Sequence, residues 1–289
     1  MATIINRYRP VVQPRLPAAP AEYDAQFIEQ YSNILRLYFN QLDALTGALL
    51  GESGGRYFRF PFGAFHQGAY TTLTNAIPTS GSTATIVVGS TTGFASAGTI
   101  IIQKELISYT GKTATTFTGI TRSQYGSSGA SHAAGVYVTD AQAVPSATTA
   151  LAISYDTTDS SNEVSLDPAD NSKVVFAVAG NYNIQFSLQL LNGKSSIDNV
   201  TLWFRQNGAD IPNTAGIVTV PLGPGTTLGA ALTSWNLVAP INVNDYIQLM
   251  MSSDSGDTVI GTYPPGTAPV HPASPSVILT ATFVSALAT

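Results

Sequence analysis

The chain has 289 residues, and only 10% of them are charged, against about 25% in an average soluble domain. Its hydrophobic content of 44% can build a core, so the composition excludes a chain that is disordered throughout. The net charge of -5 argues against nucleic-acid binding, and the absence of Cys excludes disulfides and thiolate metal sites. No apolar run reaches the roughly 18 residues of a membrane span and residues 1–13 lack a signal-peptide core, so we expect no membrane insertion.

Residues 1–20 are predicted to form an extended arm. Prolines recur every three or four residues, which forbids a helix and removes backbone donors: Pro10, Pro14, Pro17 and Pro20. The first 15 residues contain no acidic residue, and their basic residues are Arg7, Arg9 and Arg15. Arginine pairs well with carboxylates through two hydrogen bonds. We therefore expect the arm to anchor the chain on another protein through these arginines.

Residues 21–50 are predicted to form a helix that follows Pro20 and ends at a group of glycines. Its apolar residues alternate spacings of three and four: Ile28, Tyr31, Leu35, Tyr38, Leu42, Leu45 and Leu49. A stripe sustained over three heptads is typical of a coiled coil, so we expect these residues to form the interface of a homotrimer. The alternative is an amphipathic helix packed on its own domain. Residues 51–69 are expected to form a linker.

The rest of the chain reads as strands and turns. Residues 70–138 contain short Thr- and Ile-rich runs between glycines, which predict a small β module. In residues 139–289, Tyr182, Ile184 and Phe186 alternate with polar residues, as in a half-buried strand. About eight such runs with regular turns predict a β-sandwich or jelly roll. The expected fold class is thus mainly β, with an N-terminal arm, a coiled-coil helix, a small β module and a C-terminal jelly-roll head.

Several stretches resemble structural proteins of tailed-bacteriophage virions. The segments FAVAGNYNIQFSLQLLN, VTLWFRQNGADIP, SWNLVAPINVNDYIQLMMSS and SPSVILTATFV are similar to a β-sandwich module of such proteins, with a strand pattern like the trimeric C1q/TNF jelly roll. INRYRPVVQPRLP with LRLYFNQLDAL resembles the arm and helix of fibre-like phage proteins, and GTIIIQKELISYTGKTATTFTGITR resembles a small β module found in them. The resemblance implies a homotrimer on the capsid or tail surface, attached to other virion proteins by its N-terminus.

The motif search predicts a protein that is not an enzyme and that uses neither cofactor nor metal. The P-loop pattern is absent from the sequence. Residues 140–289 contain eleven acidic and three basic residues, but nearly all the acidic ones lie in or beside turn sequences, where Asp bonds to the local backbone. The expected role is a short fibre that contacts a glycan or protein of the host surface. A capsid decoration protein and a glycan-hydrolysing tail spike are the alternatives.

Four side chains are candidates for contact with the host surface: Trp203, Trp235, Tyr263 and His271. Strand alternation places Trp203 on the opposite face from Leu202 and Phe204, where it serves either a trimer interface or stacking on a sugar. Trp235 has the same two interpretations. Tyr263 and His271 belong to a Pro-rich loop, Tyr263–Pro275, and stiff exposed loops often carry recognition.

Overall fold

A computed structural model describes residues 14–18, 20, 22–50, 62–79, 84–143, 148–223 and 227–287, except the side chains of Leu45 and of residues 47–50. The chain divides into two compact units. The first comprises Met1–Arg59 with Phe283–Thr289, and the second is Phe60–Thr282. The described residues are mainly β, as the sequence predicts, with a single helix among them.

Helix α1 spans Ala25–Leu50 and begins four residues later than predicted. The carboxylate of Asp24 accepts a hydrogen bond from the backbone N–H of Gln26 at 2.9 Å, so Asp24 is the N-cap. An N-cap residue has non-helical backbone angles, and this fixes the helix start at Ala25. None of the described side chains of α1 is buried.

Nine short strands lie in the first half of the second unit. They are β1 (Phe62–His66), β2 (Tyr70–Thr72), β3 (Thr85–Val87), β4 (Gly98–Ile102), β5 (Glu105–Tyr109), β6 (Gly111–Lys112), β7 (Thr116–Thr118), β8 (Thr121–Gln124) and β9 (Tyr137–Ala143).

The remaining strands include the longest ones among the described residues. They are β10 (Leu151–Ala152), β11 (Thr157–Ser160), β12 (Val164–Leu166), β13 (Val174–Phe176), β14 (Gly180–Asn192), β15 (Asp198–Gln206), β16 (Ala209–Asp210), β17 (Gly216–Val220), β18 (Gly229–Ile241), β19 (Tyr246–Ser253), β20 (Thr258–Gly261), β21 (Gly266–Thr267), β22 (Val270–His271) and β23 (Val277–Ser285).

Two antiparallel sheets form a β-sandwich. One sheet contains the order β1-β23-β14-β18, and the other contains β13-β19-β15-β17. Alternate residues of β14 and β15 point into the space between the sheets, where the rings of Phe186 and Phe204 meet edge to face at 5.7 Å. The core therefore consists of the inward rows that the sequence alternation predicts.

A smaller β region, within residues 70–143, follows β1 in the chain and has its own core. Strands β3, β7 and β6 form a three-stranded sheet, while β2, β9, β4, β5 and β8 form the other layer. Phe117 lies at the centre of this core, with the rings of Tyr109 and Phe94 at 4.7 and 5.0 Å from it. A dense aromatic cluster of this kind makes the small region a packed element in its own right.

The structure differs from the expected domain limits at two places. Within the expected linker 51–69, Phe62–His66 forms strand β1, which pairs with β23 and completes the sandwich sheet. The expected boundary between residues 138 and 139 falls inside β9, which pairs with β4 on one side and β20 on the other. The small region and the sandwich thus share a continuous sheet, because β9 bonds to both.

Candidate functional site

Trp203 lies on the outward face of β15, as the alternation predicts, and is half-buried. Its indole Nε1 donates a hydrogen bond to Asp210 Oδ1 at 2.8 Å, and Arg205 Nε donates to the same oxygen at 2.8 Å. The bonds from Arg205 and Trp203 hold the pKa of Asp210 below its ordinary value. The indole edge is therefore fixed by its own hairpin, and the ring face is the part that can contact a partner.

Trp235 does not face outward, and this corrects the expectation for it. It lies opposite Phe186 on the neighbouring strand, and paired residues of antiparallel strands share a face of the sheet. The two rings meet edge to face at 4.5 Å, and a Cβ added at Gly216 would lie 3.0 Å from the indole. Trp235 thus covers the edge of the sandwich core, and only part of it is accessible.

The segment Tyr263–Pro275 is a hairpin rather than an open loop. Tyr263 and Ser274 exchange two backbone hydrogen bonds, at 3.1 and 3.0 Å, at its base. Strands β21 and β22 pair beyond them, and His271 Nδ1 lies 2.8 Å from the carbonyl oxygen of Pro272. Val270 is 87% exposed at the end of this hairpin. His271 is therefore engaged within the hairpin, and Tyr263 is held at its base.

Tyr263 lines a groove in the second unit, and the other three candidates do not. This groove, called the tyrosine groove below, has a volume of about 350 Å³ and lies between the small β region and the sandwich. Its walls are formed by Ile101, Gln103, Tyr137, Thr139, Leu191, Thr227, Leu228, Thr262, Tyr263 and Pro264. Tyr137 is 41% exposed and its ring meets that of Tyr70 edge to face at 6.1 Å. The volume is in the range of small-ligand clefts.

A polar cluster around His66 lies at the junction of the small region and the sandwich. His66 Nε2 lies 3.4 Å from Asp140 Oδ2 and 3.8 Å from Asp156 Oδ2. His66 Nδ1 lies 3.0 Å from Ser276 Oγ, so that a serine, a histidine and carboxylates follow one another in space. Ser276 is 0% exposed, so its hydroxyl cannot reach a substrate as the nucleophile of a hydrolase would. The cluster connects four separate segments of the fold.

Burial shifts the pKa values of this cluster. Burial, and to a lesser extent the Asp156 carboxylate, raises the pKa of Asp140 to about 7, against the opposite effects of the Ala141 N–H and Lys112. Burial also lowers the pKa of His66, although the Asp156 carboxylate acts in the opposite direction. Both His66 and Asp140 therefore favour their neutral forms, as expected for groups removed from water.

A second cluster is confined to the small region. Glu105 is fully buried, and its carboxylate accepts hydrogen bonds from Arg122 Nε at 2.8 Å and from Arg122 Nη2 at 2.6 Å. His132 Nε2 lies 2.7 Å from the same carboxylate, and His132 Nδ1 lies 2.9 Å from Gln103 Oε1. Through Gln103, this buried cluster extends to the wall of the tyrosine groove.

The helix stripe is only partly described. Ile28 is 47% exposed, and Tyr31, Leu35, Tyr38 and Leu42 are half-buried. The side chains of Leu45 and Leu49 lie outside the description, as do Arg7 and Arg9 of the arm, while Arg15 is exposed. Sequence reasoning missed Tyr137, Gln103 and the cluster around His66, since each depends on pairing between distant segments.

Comparison with known proteins finds neither a matching family model nor a matching curated protein. Within the described residues, no helix has the length and hydropathy needed to cross a membrane. The same residues contain no group of three or more His, Asp and Glu side chains arranged to hold a metal ion. The geometry of the chain itself is therefore the basis for assigning a function.

Proposed function

We propose that the chain is a non-enzymatic, homotrimeric surface protein of a bacteriophage virion, anchored through residues 1–20 and presenting its C-terminal β-sandwich as a head for adhesion to the host. The observation that carries this proposal is the apolar stripe of α1, of which no described member is buried. Most helices in proteins gain their stability from packing of an amphipathic face. Two further copies of the same stripe would supply that packing in a coiled coil.

The sandwich supports association of the same kind. Its strand order, β1-β23-β14-β18 facing β13-β19-β15-β17, is that expected of an eight-stranded jelly roll with the small region inserted after the first strand. Large apolar side chains are exposed on two strands of this head: Ile217 is 73% exposed, Leu232 is 71% exposed and Val238 is 58% exposed. Leu232 and Val238 both lie on the outward row of β18, whereas Ile217 lies on β17 of the other sheet. An exposed apolar row such as that of β18 is typical of a surface that a further subunit covers.

The virion assignment is supported by the sequence resemblance and by the composition of the arm. A basic, Pro-rich segment without a core of its own gains order when it binds a partner. Arg15, the arm arginine within the described residues, is exposed and free to reach an acidic partner surface. A decoration protein would share this architecture and lack the contact with the host, so adhesion is tested separately.

Sedimentation velocity on the full chain tests the trimer directly. We expect the mass of three chains for the wild type and for Leu37→Asp, because Leu37 lies off the stripe and is 58% exposed. The double variant Leu35→Asp/Leu42→Asp is expected to dissociate, because unpaired buried charges cost about 3–5 kcal/mol each. A double variant that still sediments as a trimer with unchanged stability would show that α1 does not form the interface.

A further inference from the structure

We propose that the tyrosine groove binds a neutral saccharide; this inference rests on the proposed adhesion function and identifies the chemical class of the host-surface ligand. The groove is formed by two walls that belong to different parts of the second unit. Ile101, Gln103 and Tyr137 come from the small region, while Leu191 and Tyr263 come from the sandwich side. A cleft between two packed elements is a common position for a small-ligand site.

The chemistry of the walls selects a ligand that is both apolar and hydroxylated. The rings of Tyr137 and Tyr263 offer flat apolar faces with a hydroxyl at the edge, and Pro264 and Leu228 extend the apolar surface. Gln103 and Thr139 add an amide and a hydroxyl. A purely apolar ligand would bury these polar groups without hydrogen-bond partners, which is unfavourable. A sugar ring has C–H faces for the aromatic rings and hydroxyls for the polar groups.

Charge excludes an ionic ligand. None of the described residues that line the groove is charged. Residues 140–289 carry eleven acidic residues against three basic ones, and their field opposes the approach of an anionic ligand. A charged saccharide would therefore enter the groove without a compensating partner, which is unfavourable in a partly desolvated cleft.

An extended peptide is also disfavoured, because the strands that border the groove have no free edge. β4 pairs with β5 and β9, and β9 pairs with β4 and β20. On the opposite wall, β14 pairs with β18 and β20. Peptide recognition by strand addition needs an unpaired edge with available N–H and C=O groups. Contacts in the groove must therefore come from side chains, as in the recognition of a sugar.

Three side chains of the groove are positioned by contacts within the protein. Tyr263 is held by its two backbone bonds with Ser274, at 3.1 and 3.0 Å. Gln103 Oε1 lies 2.9 Å from His132 Nδ1, and this contact holds one end of the amide and leaves its other end for a ligand. Tyr137 packs against Tyr70 with a centroid distance of 6.1 Å. Groups that are fixed in advance lose little conformational entropy on binding, and this favours the binding of a neutral ligand.

Titration of the full chain with neutral hexasaccharides of glucose, galactose, mannose and N-acetylglucosamine, by calorimetry, tests this inference; oligosaccharides of uronic acid form the charged arm. We expect at least one neutral hexasaccharide to bind, and Tyr137→Ala to weaken it about tenfold or more. Tyr263→Phe, which keeps the ring, is expected to weaken binding less. Tyr23→Ala is the matched control, because Tyr23 is 85% exposed and lies in the other unit.

Three results would overturn the inference: no neutral hexasaccharide binds, only the uronic-acid oligosaccharides bind, or binding is unchanged in Tyr137→Ala with a wild-type melting temperature. The failure of the proposed function is seen in different measurements. If the Tyr137→Ala trimer attaches to host cells as well as the wild-type trimer does, the adhesion function is retained and the groove is excluded as its ligand site. A monomer that binds a neutral hexasaccharide through Tyr137 supports the groove and contradicts the trimeric surface protein.

Discussion

Replacing Asp140 by Asn should make the protein more stable at pH 8 and leave its stability at pH 4 nearly unchanged. Asp140 is 13% exposed, with His66 Nε2 at 3.4 Å from its carboxylate. Lys112 and Asp156 are the charged groups that also act on it, and its own charge raises the pKa of Tyr109 together with burial. Asn has nearly the same shape and no charge, so the substitution removes the ionisation and keeps the packing.

The sign and the size follow from the pKa of Asp140, which rises from 3.8 to about 7 on folding. Between these values the folded chain holds a proton that the unfolded chain has released, so the free energy of unfolding falls as pH rises. Above pH 7 the loss is complete and amounts to about 4 kcal/mol, at 1.36 kcal/mol per pKa unit. His66 has the opposite effect on stability. Because folding lowers its pKa, the free energy of unfolding falls as the pH drops below 6.5.

Urea unfolding at pH 4, 5.5, 7 and 8.5, at one fixed protein concentration, measures this difference. The gap in unfolding free energy between Asp140→Asn and wild type should open between pH 4 and pH 7 and stay constant above it. Asp159→Asn is the matched control, because Asp159 is an exposed carboxylate on β11, the strand that pairs with β1. A gap for Asp140→Asn that is the same at every pH would refute the assignment of a neutral, buried Asp140.

Three further predictions test other parts of the structure. Arg122→Ala should destabilise the small region by about 3–5 kcal/mol in a urea melt, because it leaves the buried Glu105 carboxylate without its cation. Its control, Arg205→Ala, breaks an exposed pair with Asp210 and should cost about 0–1 kcal/mol. Deletion of residues 2–20 should give a trimer with an unchanged melting temperature that no longer enters particles, and normal incorporation would contradict the anchoring role. Gly68→Ala should lower the melting temperature, because φ is +62° there and the new Cβ would clash with Thr262 Oγ1; a melting temperature equal to that of wild type would contradict this clash.

The parts of the fold that depend on local periodicity could be predicted from the sequence. The helix and the strand at residues 180–192 follow from spacings of three to four and of two residues, which are properties of neighbouring positions. Strand β1 was missed because FGAFH lies beside glycines and is only five residues long. It is a strand because β23, more than two hundred residues later in the chain, supplies its hydrogen bonds.

The functional surfaces were harder to predict, because they depend on strand register and on long-range pairing. Trp235 could be placed only after β18 was aligned with β14, since a shift of one residue moves a side chain to the other face. The tyrosine groove joins Gln103, Tyr137 and Tyr263, which no sequence motif connects. The cluster of His66, Asp140 and Asp156 forms for the same reason, and its shifted pKa values arise from burial that composition does not reveal.

The central claim is that this chain is a trimeric protein on the surface of a phage virion. Gold-labelled antibodies against residues 139–289, imaged on intact purified particles, test it most directly. We predict labels on the outer surface of the capsid or tail, in clusters consistent with three heads, and loss of the labels when residues 2–20 are deleted. Purified infectious particles that carry neither the label nor the chain would contradict the claim.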